Sequence, residues 1–394
     1  MKNLLIALTA ALCFSVAAQT PQPPEIAARS YLLFDVTANQ LLAKKDIDIP
    51  VEQASLTKLM SAYVIFEALR TQKISLKQTL PVSERAWKMP GSRMFIDPKM
   101  RVPVEDLIKG MIVQSGNDAT VALAEGVGGS VERFVQLMND QAKVLGMNNT
   151  SYKNPEGLTE AGHLTTAHDL SILATRLIQD FPDYVAYYAI KKYRYPGTPA
   201  ANDSNRNLLL FRDPSVDGLK TGYTNAAGYC MISTANREFS SLGTPGVAAG
   251  TPGATGGRRL LSIVLGTSSE NARANESQKL LNWGYTAFEA VKLFDANQSV
   301  VAPAVWKGKS SIVKLGRTEA IVVAVPSGMA DKLRTQVIRQ DPLVAPFTKG
   351  QQLATLKVSS DEQVLVEVPL IALEAVEQAG LLGRSWDSVR LWIK

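Results

Sequence analysis

Near Phe294 the chain changes its period. Before that point, apolar residues recur at helical steps in some segments and run continuously or alternate in others. After it, from Val300 to about Glu374, short alternating runs such as Ile312–Leu315, Ala320–Val325 and Val364–Val368 are broken by Pro and Gly. One uniform layer cannot satisfy both patterns. The break predicts a mixed α/β region over residues 25–293, then a small all-β region over 294–377. A chain of 394 residues is long enough for two cores.

The first region reads as alternating element types. Residues 30–43 predict two short strands around a turn at Thr37-Ala38-Asn39. From Ser55 to Arg70, Leu59, Tyr63, Phe66 and Leu69 mark one helical face. A second helical stretch, Val104–Val127, is interrupted near Ser115-Gly116-Asn117. A third opens near Thr165 or Thr166 and runs to about Gln179, with Thr166-Ala167-His168-Asp169 as a capping box carrying Asp for the usual Glu. Val216–Thr221, Tyr229–Ala235 and Arg259–Gly266 read as strands, and Glu276–Leu293 as a helix. Ser240–Gly257, rich in Gly, Pro, Ala, Ser and Thr, reads as a flexible hairpin insertion.

The two ends differ from the rest. Residues 1–18 carry one charge, Lys2, before an apolar run ending in Val16-Ala17-Ala18, the pattern of a secretory signal peptide. Its removal would discard Cys13 and leave Cys230, so the mature chain could form no internal disulfide. Cys230 sits in an apolar run and reads as a small buried hydrophobe. In Gln378–Lys394, Leu382, Trp386, Val389 and Ile393 share one helical face, opposite Arg384, Asp387, Arg390 and Lys394. A cationic, Trp-bearing terminal helix suits the interface of an anionic membrane.

Charge and ligand counts exclude several function classes. The net charge of +6 is dispersed, with no basic block suited to nucleic acid. Two histidines, His163 and His168, and two cysteines argue against a zinc site built on several histidines. Both histidines read as packing residues.

Three short motifs could carry chemistry. In Ser55-Leu56-Thr57-Lys58, three-residue spacing at a helix N-terminus puts a hydroxyl and an amine on one face. A lysine can serve as the base for a serine nucleophile when its pKa is lowered. Ser115-Gly116-Asn117 can project a hydroxyl and an amide from a tight turn, and Lys220-Thr221-Gly222 ends an apolar run that would edge a cleft. Each alone has an ordinary structural explanation.

Together and in this order they match the three motifs of serine penicillin-recognising enzymes. The chain resembles the low-molecular-mass penicillin-binding proteins of the D-alanyl-D-alanine carboxypeptidase family. Asn154-Pro155-Glu156-Gly157-Leu158, Val216–Gly222 and Glu276–Gly284 extend the similarity, which covers residues 25–394.

The resemblance implies a β-lactamase/transpeptidase-like α/β catalytic domain with an antiparallel sheet and a helical cluster, a small all-β domain and a terminal amphipathic helix. It implies that Ser55 attacks the bond between the terminal D-alanines of a peptidoglycan stem peptide and that Lys58 takes its proton. Ser115 and Lys220 would pass a proton to the leaving amine, and Asn117 would bind the substrate's peptide carbonyl. The backbone N–H groups of Ser55 and Tyr223 would form the oxyanion hole. Thr221, with Gly222 beside it, would meet the free carboxylate, helped by Arg206 and Arg273. β-Lactams would trap Ser55. No cofactor or metal is implied, and the location would be the periplasmic face of the inner membrane.

The sequence departs from the family pattern at Tyr223, where many relatives carry His, at Glu52-Gln53-Ala54, where Pro is frequent, and in the 240–257 insertion. The alternatives are a D,D-endopeptidase of the same family, a β-lactamase and a non-catalytic peptidoglycan-binding protein. Length argues against the endopeptidase. The lack of a convincing Glu motif between Asn117 and Lys220 argues against the β-lactamase, and the intact motifs argue against the non-catalytic protein.

Overall fold

The computed structural model describes residues 21–238, 257–360 and 363–393. Residues 1–18, read above as a signal peptide and holding Cys13, and the 240–257 insertion apart from Gly257, lie outside these residues.

β1 (Ser30–Asp35) and β2 (Gln40–Lys45) pair as an antiparallel hairpin around the expected turn. They join β7 (Val216–Thr224), β8 (Gly228–Arg237) and β9 (Arg258–Thr267) in a five-stranded sheet of order β2-β1-β9-β8-β7. Both faces of this sheet are buried, and the alternation along the strands shows it. Leu32, Ile232, Leu261 and Ile263 enter one core, and Leu33, Met231, Leu260 and Val264 enter another. Cys230 is buried on the first face, as expected.

The first core is closed by α1 (Lys58–Arg70), α3 (Val104–Val113), α4 (Asn117–Gly128), α5 (Val131–Leu145) and α6 (Ala167–Asp180). Shorter helices α2 (Glu84–Trp87), α7 (Pro182–Val185) and α8 (Leu209–Arg212) complete the region. So do two small pairs, β3 (Val51–Glu52) with β6 (Leu164–Thr165) and β4 (Thr79–Pro81) with β5 (Arg101–Pro103). The second core is closed by α9 (Glu270–Ala287).

Three sequence expectations shift. α9 starts at Glu270, where Ser269 Oγ accepts the N–H of Ala272, and stops at Ala287. Phe288–Phe294, expected as the end of that helix, is instead β10, paired with β14 (Ile321–Pro326). Val291 and Leu293 turn to the β-rich core while Ala290 packs with Val322 and Ala324, and pairing with β14 overrides continuation of the helix. At α6, Thr166 Oγ1 caps the N–H of Asp169, but the Asp169 carboxylate binds Asn149 N–H and Thr150 Oγ1, so the capping box is half made. α5 had no counterpart in the sequence reading. Its signal was present: Ser130 caps it, and Val131, Phe134, Met138, Ala142 and Leu145 are its buried stripe.

The β-rich region has its own core around Val313, Leu315, Val323, Leu356, Val358 and Leu370. β11 (Ser299–Val301), β13 (Leu315–Gly316), β15 (Leu333–Arg339), β17 (Gln352–Ser360) and β18 (Gln363–Ala372) form a sheet of order β11-β13-β18-β17-β15. β12 (Val305–Trp306) pairs in parallel with β16 (Leu343–Val344). Gln40 joins the two regions. Its Nε2 donates to Ala324 O at 3.2 Å, and its Oε1 accepts from Ala324 N at 2.6 Å. The chain ends in α10 (Leu381–Ile393).

Candidate active site

Ser55 lies in a tight 3-10 turn, Ala54–Thr57, that leads directly into α1. The α-helix proper therefore begins at Lys58 rather than Ser55. Leu56, Thr57 and Lys58 are buried, while Ser55 is partly open. The turn thus presents the hydroxyl and hides what surrounds it.

Lys58 is 1% exposed. Its Nζ is 3.1 Å from Ser55 Oγ, 2.7 Å from Asn117 Oδ1 and 2.6 Å from the carbonyl oxygen of Glu156. Burial lowers its pKa from 10.5 to about 7, against the opposing pull of Glu156 and Asp118. A neutral amine is therefore accessible near neutral pH, where an exposed lysine would be charged.

Asn117 opens α4, where the sequence predicted an interruption. Its Oδ1 accepts from Lys58, and its Nδ2 donates to Pro90 O at 2.6 Å. Ser115, between α3 and α4, adopts a left-handed conformation (φ 58°). Its Oγ is 3.0 Å from Lys220 Nζ. Asp118, fully buried, accepts the N–H groups of Met94, Phe95 and Ile96 and so fixes the loop beside this turn.

Lys220, Thr221, Gly222 and Tyr223 lie on β7, the edge strand of the sheet, and the first three are buried or nearly so. Burial, then the charges of Lys58, Arg206 and Arg273, hold the Lys220 pKa well below its usual value. Gly222 allows a close approach: a Cβ there would stand 3.1 Å from Ala54 Cβ and 3.2 Å from Ser55 N. This contact seats the end of β7 against the Ser55 turn. Tyr223 is exposed and stacks on Tyr229, with ring centroids 4.2 Å apart.

The two arginines differ. Arg273, on α9, is 2% exposed and donates to Gly222 O at 3.2 Å. Its Nη2 lies 3.6 Å from Glu270 Oε1 and makes no hydrogen bond among the described residues. Arg206 is exposed, between the buried Asn205 and Asn207, which bind the carbonyls of Ile190 and Gly218. Its charge contributes to lowering the pKa of Lys58, Lys220 and Arg273.

Hydrogen bonds join Lys58 to Ser55 and Asn117, Lys220 to Ser115, and Arg273 to Gly222, while Gly222 closes on the Ser55 turn and Arg206 acts on the group through its charge. Three contributors were not singled out from the sequence. The carbonyl of Glu156 holds Lys58, and the Glu156 carboxyl, its pKa raised by burial, is coupled to the lysine's charge. Gln53, two residues before Ser55, donates from Nε2 to Ser151 O and Leu164 O and ties down the approach to the turn. His163 binds Thr57. The segment Asn154–Leu158, read as a family feature, was the available signal for Glu156. The other two contacts join residues about a hundred positions apart.

Comparison with known proteins agrees with this geometry. Residues 17–244 match the family model described as D-alanyl-D-alanine carboxypeptidase, and residues 288–378 match the penicillin-binding protein 5 C-terminal domain. The chain is 38% identical to D-alanyl-D-alanine carboxypeptidase DacC of Escherichia coli K12, over 95% of this chain and 90% of that protein. Penicillin binding protein 5 from Haemophilus influenzae superposes with a TM-score of 0.81 at 32% identity, covering 91% of this chain and all of that one. Penicillin-binding protein D2 from Listeria monocytogenes, solved in an ampicillin-bound form, superposes with a TM-score of 0.56 at 29% identity, covering 66% of this chain and 98% of that one. Motifs, fold and relatives agree, and the chain belongs to the D-alanyl-D-alanine carboxypeptidase family.

Proposed function

We propose that this chain, a serine hydrolase of that family, removes the terminal D-alanine from peptidoglycan stem pentapeptides through an acyl-enzyme on Ser55. One observation carries the assignment. Lys58 Nζ lies within hydrogen-bond reach of Ser55 Oγ, and burial brings its pKa to about 7.

The neutral amine of Lys58 accepts the Ser55 proton as Oγ attacks the carbonyl between the two D-alanines. Asn117 Oδ1 and the Glu156 carbonyl keep the amine aimed and stabilise the ammonium that forms. Negative charge on the carbonyl oxygen is met by the N–H groups of Ser55 and Tyr223, which the Gly222 contact brings together. Lys220 and Ser115, 3.0 Å apart, deliver a proton to the departing amine. The C–N bond breaks, free D-alanine leaves, and water hydrolyses the ester. The substrate carboxylate meets Thr221, Arg206 and Arg273, whose guanidinium groups match its two oxygens. The remaining amide hydrogen of Asn117 is available to the substrate's peptide carbonyl. β-Lactams acylate the same hydroxyl. Release of D-alanine from a stem pentapeptide, lost in Ser55→Ala, tests the reading. Release that survives the substitution overturns it.

The same reading places the enzyme in the periplasm, exported by its leader and held at the inner membrane by α10. The docking of that helix supports this. Asp387 Oδ2 accepts the N–H of Lys307 at 2.7 Å, and Arg390 lies 5.3 Å from the Trp306 ring, so the polar face meets the β-rich region. Leu382 (90% exposed), Trp386 and Trp392 (89%) are left outside. No helix among the described residues is long and apolar enough to cross a membrane.

A further inference from the structure

Behind Ser55 lies a buried hydrogen-bond chain that the reaction scheme does not use. Ala54 has φ +47°, in the left-handed region that an L side chain rarely adopts. Its carbonyl oxygen accepts from Thr57 Oγ1 at 2.8 Å. Thr57 Oγ1 is in turn 2.7 Å from His163 Nε2. The other imidazole nitrogen, Nδ1, accepts the N–H of Lys153 at 2.9 Å. That contact decides the tautomer: Nε2 carries the proton and donates to Thr57, whose own hydrogen is spent on Ala54. Burial lowers the His163 pKa to about 4, which keeps this neutral form at ordinary pH.

The peptide between Ala54 and Ser55 has two further close neighbours. A Cβ at Gly157 (φ +90°) would stand 1.9 Å from Ala54 O, so the backbone there lies directly over the peptide. Gly222 also approaches this peptide, 3.2 Å from Ser55 N by the same measure. A trans peptide is planar, with its C=O and N–H pointing opposite ways. A bond that fixes the Ala54 carbonyl therefore fixes where the Ser55 N–H points. It also draws electron density towards the carbonyl and sharpens the N–H as a donor.

We infer that His163 and Thr57 are positioning residues that aim the Ser55 N–H into the oxyanion hole through the Ala54 carbonyl. The inference rests on the reading of Ser55 N–H as an oxyanion donor. Neither residue touches substrate. His163, far from the three motifs in sequence, acts three hydrogen bonds away from the developing charge.

The test compares Thr57→Val, Thr57→Ser and His163→Leu in the otherwise intact chain. It reads the penicillin acylation rate constant, non-covalent substrate affinity and the infrared carbonyl stretch of the acyl-enzyme. Removing an oxyanion donor costs about 10²–10³-fold in rate, so mis-aiming one should cost roughly 10–100-fold. Thr57→Val and His163→Leu are expected to acylate that much more slowly at near-unchanged affinity, with the stretch moved to higher wavenumber as polarisation weakens. Thr57→Ser, which keeps the hydroxyl, should restore both. Should His163→Leu fail to fold, Thr57→Val decides alone. An acyl-enzyme of Thr57→Val with the parent's stretch frequency, whatever its rate, overturns the inference. A parent protein that forms no acyl-enzyme on Ser55 removes the underlying reading, and that outcome appears in the control before any variant is compared.

Discussion

The Nζ of Lys58 donates to the Oδ1 of Asn117 across 2.7 Å, joining the first and second motifs through a single hydrogen bond. Asn117 therefore holds the base, in addition to the contact with substrate proposed for it. Asn117→Ala is expected to lower acylation by about 10²-fold, within the range that positioned acid–base groups supply. Stopped-flow acylation with a chromogenic penicillin measures it. An effect on affinity alone would mean that Asn117 serves only the substrate.

The pH dependence follows from the burial of Lys58. Its amine must be neutral to accept a proton, and its pKa is lowered from 10.5 to about 7. Acylation should fall about tenfold per pH unit below that value and level off above it. Lys220 is lowered too, so the profile is repeated with Lys220→Arg, where the limb should stay near pH 7. A limb that climbs instead through pH 9–10 would mean an ordinary lysine.

The proposed role of Tyr223 uses its backbone only, since its ring stacks on Tyr229 at the surface and its hydroxyl binds Asn225. Tyr223→Ala should change acylation by less than about fivefold. Lys220→Ala should cost about 10²-fold or more, since it removes the partner of Ser115. Similar losses in both variants would show that the tyrosine side chain takes part.

Stability has its own test at the Asp35–Arg258 pair. Asp35 is fully buried, and its Oδ2 lies 2.7 Å from Arg258 Nε. Arg258 Nη1 also donates to Phe288 O, tying β9 to the start of β10. Asp35→Ala leaves a buried guanidinium without its counter-charge and should cost about 3–5 kcal/mol in urea unfolding. A loss below about 1 kcal/mol would show that water or another carboxylate replaces it.

Much of the site was legible because its chemistry is local. Ser55 and Lys58 share one turn, Ser115 and Asn117 one loop, and Lys220–Tyr223 one strand end, so each set was visible as a short motif, and the resemblance to the family joined the three and implied their roles. The strands of the sheet were legible for the same reason: continuous apolar runs mark strands covered on both faces. What was missed is tertiary. Gln53 reaches Leu164, and Thr57 reaches His163, through contacts that leave no periodic trace. Phe288–Phe294 has apolar content that fits helix or strand, and only its pairing with β14 decides.

Membrane attachment is tested by truncation before Gly380, which leaves the backbone bridge between Gly308 and Gln378 in place. The shortened chain should lose sedimentation with anionic phospholipid vesicles and keep its D-alanine release. Unchanged sedimentation would place the anchor elsewhere.

The central claim is that Ser55, with Lys58 as base, carries the acyl group. The direct measurement is intact-mass and peptide mapping of the penicillin-treated protein, run beside D-alanine release from a stem pentapeptide. The account expects one adduct, on the peptide containing Ser55, with adduct and D-alanine release both lost in Ser55→Ala. An adduct on another residue, or D-alanine release that persists in that variant, would contradict it.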